Sequence, residues 1–471
     1  MTATGTRVYR LGEFHSFSAR GRQFLYLVPA GAIFELDDAA QKLIDRLAEG
    51  EATEEELDAE PELIAELHRA RVIVSGDLRP DPPQDVPADF PLQTLVLNLT
   101  NQCNLSCQYC YEFGADKVAT PHGKPKFMDF ETAQASVDFL LQQSPGRRAV
   151  HITFFGGETL MNFPLLKQVV TYAGERAADQ GRSIDFSLTT NATLLTPAII
   201  EFLSEHRIGV TVSMDGPAEL HDKLRVFANG RGSYDVIAPR VRALIQNHRT
   251  RPIAARVTLT SDVADVLRIF RHLKNDLGFH EVGFAPVTTS PNRLYAINDR
   301  GMDNVLDQFH VLAEEYLEYA LRGELHGFSN VSDTLSELHQ GVNKSHPCGA
   351  ALGLVGVGPS GDIAPCHRFV DSDTHALGHI STGIDREKQK DFLRRGHIDS
   401  KYDCHTCWAR PLCAGGCHHE AYVRYGDTGH PNLHYCDWIR SWTDMCLRIY
   451  GAISIHNPEF LRVFAERKAL S

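Results

Sequence analysis

Three cysteines, Cys103, Cys107 and Cys110, follow one another in the spacing C-x3-C-x2-C, directly after an alternating apolar run from Leu95 to Leu99 that ends in Thr100 and Asn101. The stretch reads LVLNLTNQCNLSCQYCY and sets three thiols at the mouth of a strand. Thiolates bind zinc and iron–sulfur clusters, and a closed structural site normally takes four protein ligands. Three leave one metal position open to a substrate. A zinc knuckle, or thiols packed as small apolar core residues, is the other reading of these three positions.

Seven more cysteines return late in the chain: Cys348, Cys366, Cys404, Cys407, Cys413, Cys417 and Cys436. Written as spacing they give C-x12-G-x4-C, a gap, C-x2-C-x5-C-x3-C, a second gap, and C, with Gly361 as the glycine. On their own these seven also suit zinc. Cys446 is left over and is expected in the core.

Other residues fall where strands should end. Phe155-Gly156-Gly157-Glu158 offers paired glycines that let a backbone approach a ligand, with carbonyls and a carboxylate to accept bonds from an ammonium. Asn191 closes a Thr-Thr-Asn run, and Ser213-Met214-Asp215-Gly216-Pro217 is followed by HDKLR, ending at Arg225. A guanidinium pairs with a carboxylate in a two-pronged fork. Taken singly, these are also ordinary turn residues.

Repeated strands are needed to gather them. Six candidates, Thr94 to Thr100, Val150 to Phe155, Ile184 to Thr190, Ile208 to Met214, Ala254 to Thr260 and Glu281 to Val287, alternate with amphipathic stretches such as DFETAQASVDFLLQQ and DVADVLRIFRHLKNDLG. This predicts an α/β fold with a parallel sheet and helices outside, whose chemistry lies at the C-terminal strand ends. Upstream, RVYRLGEFHSF and RQFLYLV read as two strands joined at residues 18–21, followed by a helix over ELDDAAQKLIDRLAEG, two shorter helices over EEELDAE and ELIAELHRA, and a strand from Val72 to Val74. This is a winged-helix-like order. Five prolines between residues 80 and 91 predict an extended linker with a boundary near residue 85. One helical stretch, VLDQFHVLAEEYLEYALRG, interrupts the polar segment 290–346. The expected divisions are 1–85, 86–325 and 326–471.

The chain's 471 residues exceed what one core usually supports. A net charge of -13 argues against nucleic acid, whose binding rests on Lys and Arg, and suits a peptide or small-molecule partner. No run of about 18 apolar residues occurs, and the N-terminus MTATGTRVYRLGEF lacks a secretory layout, so a cytoplasmic protein without a membrane segment is expected. Eleven cysteines in a reducing compartment favour metal ligation over disulfides.

With Tyr109 before its third cysteine, the loop resembles the signature of the radical S-adenosylmethionine (radical SAM) superfamily. The resemblance implies a partial (β/α)6 TIM barrel in which Cys103, Cys107 and Cys110 hold a 4Fe-4S cluster. The open iron of that cluster chelates the amino and carboxylate groups of SAM, and an electron from the cluster cleaves SAM to a 5'-deoxyadenosyl radical. Tyr109, Gly156, Gly157 and Glu158 match the part of the motif around the cluster and the methionine amino group. By resemblance to the maturase branch, Ser213 and Arg225 would hold the SAM carboxylate, with Asn191 and Asp215 nearby.

The seven later cysteines resemble the SPASM extension of peptide-modifying enzymes, which carries two auxiliary clusters. That pattern implies Cys348, Cys366 and Cys417 as ligands of the first, and Cys404, Cys407, Cys413 and Cys436 as ligands of the second, making three 4Fe-4S clusters. The stretch GVNKSHP before Cys348 supplies no further cysteine, so the first auxiliary cluster is expected to be open at one iron or closed by His346 or another side chain. An open iron would bind a substrate thiolate and lower its pKa. His418, His419 and Glu420 are expected at the surface or in a supporting role. The N-terminal layout resembles the elements that capture a leader peptide by strand addition.

Over nearly its whole length the sequence is most similar to the maturation proteins of quinohemoprotein amine dehydrogenase. That family joins cysteine sulfur to Asp or Glu methylene carbons in a small Cys- and acid-rich subunit bearing a leader. The resemblance implies thioether formation and a reductant such as flavodoxin or ferredoxin; Asp215 and Asp235 are the candidate bases. Formylglycine formation, as in anaerobic sulfatase maturation, and other SPASM peptide cyclisations are alternative enzyme readings. An iron–sulfur electron carrier or a zinc-stapled peptide-binding module is the reading without catalysis, and a carrier has no use for the pocket at Gly156 to Glu158 and Arg225.

Overall fold

Gly12 divides the first apolar segment into two strands, because a Cβ there would lie 2.2 Å from the Arg71 carbonyl oxygen. This computed structural model describes residues 7–76, 90–120 and 122–465. Strand β1 (Val8–Leu11) is the centre of a small antiparallel sheet, flanked by β5 (Ala52–Thr53) and β6 (Ile73–Ser75). Strands β2 (Phe14–Ala19), β3 (Arg22–Leu27) and β4 (Ala32–Leu36) form another, with Arg20 and Gly21 both at positive φ in the β2–β3 turn, as a two-residue hairpin requires.

Helix α1 (Asp38–Ala48) is capped by the Asp37 carboxylate and buries Leu43, Ile44 and Leu47. Helix α2 (Pro61–Arg69) follows. Two helices stand here instead of the expected three. EEELDAE forms turns, since its clustered carboxylates repel and only Leu57 among them is buried in the core. Strand β3 has two apolar faces: Phe24 and Tyr26 join the main core, whereas Leu25 and Leu27 join the core of α1 and α2. The expected proline linker, apart from Phe90 and Pro91, lies outside the described residues.

All six expected strands form: β7 (Thr94–Asn98), β8 (Ala149–Phe155), β9 (Ser183–Thr190), β10 (Gly209–Ser213), β11 (Ile253–Leu259) and β12 (Glu281–Pro286), paired in parallel in chain order. They alternate with α3 (Phe130–Gln142), α4 (Phe163–Asp179), α5 (Pro197–Glu205), α6 (Ala218–His221), α7 (Tyr234–Asn247) and α8 (Val266–Arg271). In β10, Val210 and Val212 are buried while Thr211 and Ser213 stay half-buried, the period-two pattern of a strand with one face on the core. The opposite faces carry polar groups: His151 hydrogen-bonds Ser187 at 2.8 Å, and Arg251 pairs with Asp185 across β9 and β11.

The barrel does not close. Beyond β7 the sheet continues with parallel β13 (Leu354–Val357) and antiparallel β14 (Asp362–Ala364), β15 (Gly378–His379) and β16 (Gly383–Ile384), ten strands in all. Helices α9 (Asp299–Leu321) and α10 (Ser329–His339) precede this extension, and α11 (Arg386–Gly396), α12 (Arg410–Cys413), α13 (His418–Tyr425) and α14 (Cys436–His456) follow it. The sequence reading missed α10 and α14: α14 buries its apolar face on α9, with Phe309 5.5 Å from Trp438 and 5.4 Å from Trp442, centroid to centroid, and α10 packs against α14, where Trp442 Nε1 donates to Thr334 Oγ1 at 3.1 Å. Among the described residues, no helix is long and apolar enough to cross a membrane.

Helix α14 also seats the N-terminal hairpin. A Cβ at Gly451 would sit 3.0 Å from the Ala19 Cβ and within 3.4 Å of Phe17 and Phe24. Gly451→Leu is therefore expected to cost about 1–3 kcal/mol through overpacking, read as a lower urea midpoint with an unchanged circular dichroism spectrum at zero urea.

Candidate functional site

The loop after β7 carries Cys103, Cys107 and Cys110, and backbone geometry holds it against the end of β8. Gly156 and Gly157 adopt φ of +94° and +22°. A Cβ on Gly156 would lie 2.4 Å from the Thr100 oxygen, and one on Gly157 would lie 1.9 Å from the Gln102 oxygen. The Glu158 amide completes the seam by donating to the Gln102 oxygen at 2.9 Å. The two glycines thus permit a contact that any side chain would block.

Glu158 is buried behind the two glycines. Its carboxylate accepts from Thr190 Oγ1 (2.6 Å), Asn191 N (2.7 Å) and Leu160 N (3.0 Å), and so clamps the end of β9 to β8. Asn191 does reach the loop. Its Nδ2 donates to Asn104 Oδ1 at 3.0 Å and approaches Cys103 Sγ at 3.8 Å, while Leu105 N donates to the same sulfur at 3.4 Å.

Below the second thiol lies a buried ion pair. Arg225 Nε donates to Asp215 Oδ2 at 2.8 Å, the Tyr109 hydroxyl donates to the same oxygen, and Thr258 N donates to Oδ1 at 2.9 Å. The Arg225 guanidinium stacks over the Tyr109 ring at 5.3 Å and also reaches the Cys107 thiol. Fully buried and bonded by three donors, Asp215 holds Arg225 in place. His221 secures the turn from the other side: its Nδ1 accepts from the Asp215 amide at 3.2 Å, and its Nε2 lies 2.9 Å from Ser233 Oγ. Burial pushes its pKa down to about 3, so the ring stays neutral. Ser213 ends β10 beside Arg256 in register. Asp235 stands exposed in the first turn of α7, so the structure does not bring this second candidate base into the cluster around Asp215.

The later cysteines form two groups. The thiols of Cys348, Cys366 and Cys417 lie within electrostatic reach of one another, as do those of Cys404, Cys407, Cys413 and Cys436. His346, expected as a closing ligand of the first group, is committed elsewhere: Nε2 donates to Leu393 O at 2.8 Å and Nδ1 pairs with Ser345 Oγ at 3.0 Å. His418, His419 and Glu420 are all buried, correcting the surface placement; the His419 ring packs 5.7 Å from Tyr111 and 5.3 Å from Phe369. Cys446 is in the core as expected.

Sequence reasoning overlooked Tyr111, Glu112 and Arg368, although the first two directly follow Cys110. Tyr111 bridges the first trio to the Cys366 segment, with the Arg368 guanidinium 4.6 Å over its ring. Burial pushes the Glu112 carboxyl up to about 8, and it accepts from Gly157 N at 3.0 Å.

These residues fit metal clusters on their own chemistry. Burial pushes Cys103 and Cys366 up to about 12, and Cys110 and Cys404 up to about 11, so the thiols need a positively charged metal to ionise. N–H donors aimed at Cys103 suit a ligating sulfur. Among the described residues, no three Cys, His, Asp or Glu side chains converge as a site for a single metal ion.

Gly157→Ala is expected to displace the cysteine loop and lower the iron retained after anaerobic reconstitution, with the far-ultraviolet spectrum preserved. A second expectation concerns Asp116, which pins the segment after the loop to the far edge of the barrel. Burial would raise its carboxyl, but hydrogen bonds from Arg293, Thr289 and Ser290 outweigh this and hold it at about 2. Its contribution is complete above 3.8 and is lost as pH falls through about 2. Asp116→Asn should cost about 1–2 kcal/mol at pH 7, and the gap from wild type should narrow between pH 4 and pH 2.5 in denaturant titrations.

Residues 97–261 match the Radical SAM superfamily model. An uncharacterised protein of Methanocaldococcus jannaschii, MJ0907, is 37% identical over 142 residues, 30% of this chain and 45% of that protein's own length. A serine-type anaerobic sulfatase-maturating enzyme of Bacteroides thetaiotaomicron is 27% identical over 369 residues, 73% of this chain and 86% of the relative. The solved structure of native anSMEcpe with bound AdoMet and Cp18Cys peptide has the same fold, with a TM-score of 0.63 at 21% identity over 80% of this chain and 99% of that one. The amine-dehydrogenase branch receives no support from these relatives. The superfamily matched by residues 97–261 works with a 4Fe-4S cluster and SAM, and the cysteine loop, the glycine seam and the buried Asp215–Arg225 pair all fall within that matched segment: the protein is an enzyme with a radical SAM fold.

Proposed function

We propose that the protein is a radical SAM maturase that oxidatively modifies a peptide segment of a small protein, joining a cysteine sulfur to a side-chain carbon. On this reading Cys103, Cys107 and Cys110 hold the SAM-binding cluster, Cys348, Cys366 and Cys417 hold a first auxiliary cluster, and Cys404, Cys407, Cys413 and Cys436 hold a second. When bound, the SAM-site cluster and SAM supply a carbon-centred radical that takes a hydrogen atom from the substrate. The chain's own residues position and shield that event. Arg225, steadied by Asp215 and Tyr109, is oriented for the SAM carboxylate, and Ser213 and Asn191 line the same strand ends.

The observation that carries the thioether reading is the incomplete first auxiliary group. It has three thiols, and both ring nitrogens of His346, its nearest sequence candidate for closure, are hydrogen-bonded elsewhere. A substrate thiol has a place to ligate there. The exposed outer edge of β4, with Phe34 exposed, supports capture of a leader segment as an added strand. A flavodoxin- or ferredoxin-type reductant and a cytoplasmic setting belong to the same proposal, and so does the division into a recognition unit, a barrel and an auxiliary-cluster region.

A second reading, formylglycine formation, is favoured by the likeness to the sulfatase-maturating enzyme over 73% of the chain. Anaerobic incubation with SAM, a reductant and a peptide bearing Cys, Ser, Asp and Glu separates the two. The proposal expects 5'-deoxyadenosine and a product about 2 Da lighter whose cysteine resists alkylation: as the C–S bond forms, the carbon's hydrogen leaves as an atom to 5'-deoxyadenosine and the thiol's as a proton, with SAM the net two-electron oxidant. A hydrazine-reactive aldehyde with no blocked cysteine would favour the second reading, and absence of 5'-deoxyadenosine would overturn both.

A further inference from the structure

Lys401 is among the largest side chains the fold buries completely, at 2% exposure, and it forms no ion pair with any carboxylate among the described residues. Its Nζ donates to the Ala414 carbonyl at 2.9 Å. That carbonyl belongs to the segment Cys413-Ala414-Gly415-Gly416-Cys417, which runs from a member of the four-cysteine group to a member of the three-cysteine group. Ala414, Gly415 and Gly416 all take positive φ, of 47°, 84° and 84°. A Cβ on Gly415 would sit 2.6 Å from the lysine Cδ and 2.7 Å from Nζ, so the glycine is needed for the backbone to wrap the lysine. The thiols nearest in electrostatic reach of the ammonium are Cys404 and Cys413 from one group and Cys348 and Cys417 from the other. The rings of His346 and His418 also face it, each held neutral by burial.

A buried ammonium without a carboxylate is costly unless another anion compensates it. We propose that Lys401 is a positioning residue whose charge is shared by the two auxiliary cysteine sites, stabilising the added electron on whichever auxiliary cluster is reduced. The proposal rests on the three-cluster reading above. A cation beside a cluster favours its more negative, reduced form, so removing the charge lowers both auxiliary potentials. The SAM-site cluster, none of whose three thiols is among those in electrostatic reach of Lys401, provides the internal reference.

The test is potentiometric titration of the reconstituted full chain, followed by electron paramagnetic resonance, for wild type, Lys401→Met and Lys401→Arg. Wild type should hold about twelve irons; about four would defeat the three-cluster reading itself, independently of Lys401. In Lys401→Met, the reduced-to-oxidised ratio of both auxiliary signals at fixed potential is expected to fall about tenfold, which for a one-electron couple is about 59 mV, with the SAM-site signal unmoved. Lys401→Arg should restore it. Unchanged auxiliary potentials in a fully loaded Lys401→Met variant overturn the proposal. If Lys401→Met fails to load the auxiliary sites, loading by Lys401→Arg upholds a charge requirement, and failure of both variants overturns it.

Discussion

A single carboxylate sets the geometry of the strand ends behind the cysteine loop. Asp215 is buried at the end of β10, where an unpaired charge would be strongly destabilising, and the chain surrounds it with a guanidinium, a phenol and a backbone amide. Each donor comes from a different element: Arg225 from the segment after α6, Tyr109 from the cysteine loop and Thr258 from β11. Satisfying one charge therefore fixes the mutual distances of the cysteine loop, the end of β10 and β11. His221 adds a neutral brace to the Asp215 amide, so the turn is held on its backbone as well as its side chain.

The second constraint is steric. Two glycines at the end of β8 lie against Thr100 and Gln102, and Glu158 behind them spends its charge on β9. The same short motif thus brings backbone close to the cysteine loop and ties the next strand to it. Together with the Asp116–Arg293 pair, these contacts hold the loop at both flanks and leave its three sulfurs as the part free of strand pairing.

The barrel was legible because it is written in period. All six strands alternate or run apolar between amphipathic stretches, and each was found to within two residues. The cysteine groupings rest on resemblance, since spacing does not say which thiols meet. What stayed hidden depends on tertiary burial. Helix α10 reads as polar because only Val331, Ser332, Leu335 and Leu338 turn inward, and the buried state of His418, His419 and Glu420 has no signature in a run of polar residues. The partners of Asp215 were hidden for a related reason: a carboxylate at a strand end does not reveal which distant donors it will meet. Lys401 gave no signal, as a lone lysine is normally a solvated one.

The final long helix has a geometric consequence. It begins at Cys436, in the four-cysteine group, and fifteen residues later its Gly451 touches the hairpin whose partner strand is an open edge. Twenty-one helical residues make a strut about 30 Å long. The hairpin with its open sheet edge and the last thiol of the four-cysteine group are consequently mounted on one beam, so a tilt at either end is registered at the other.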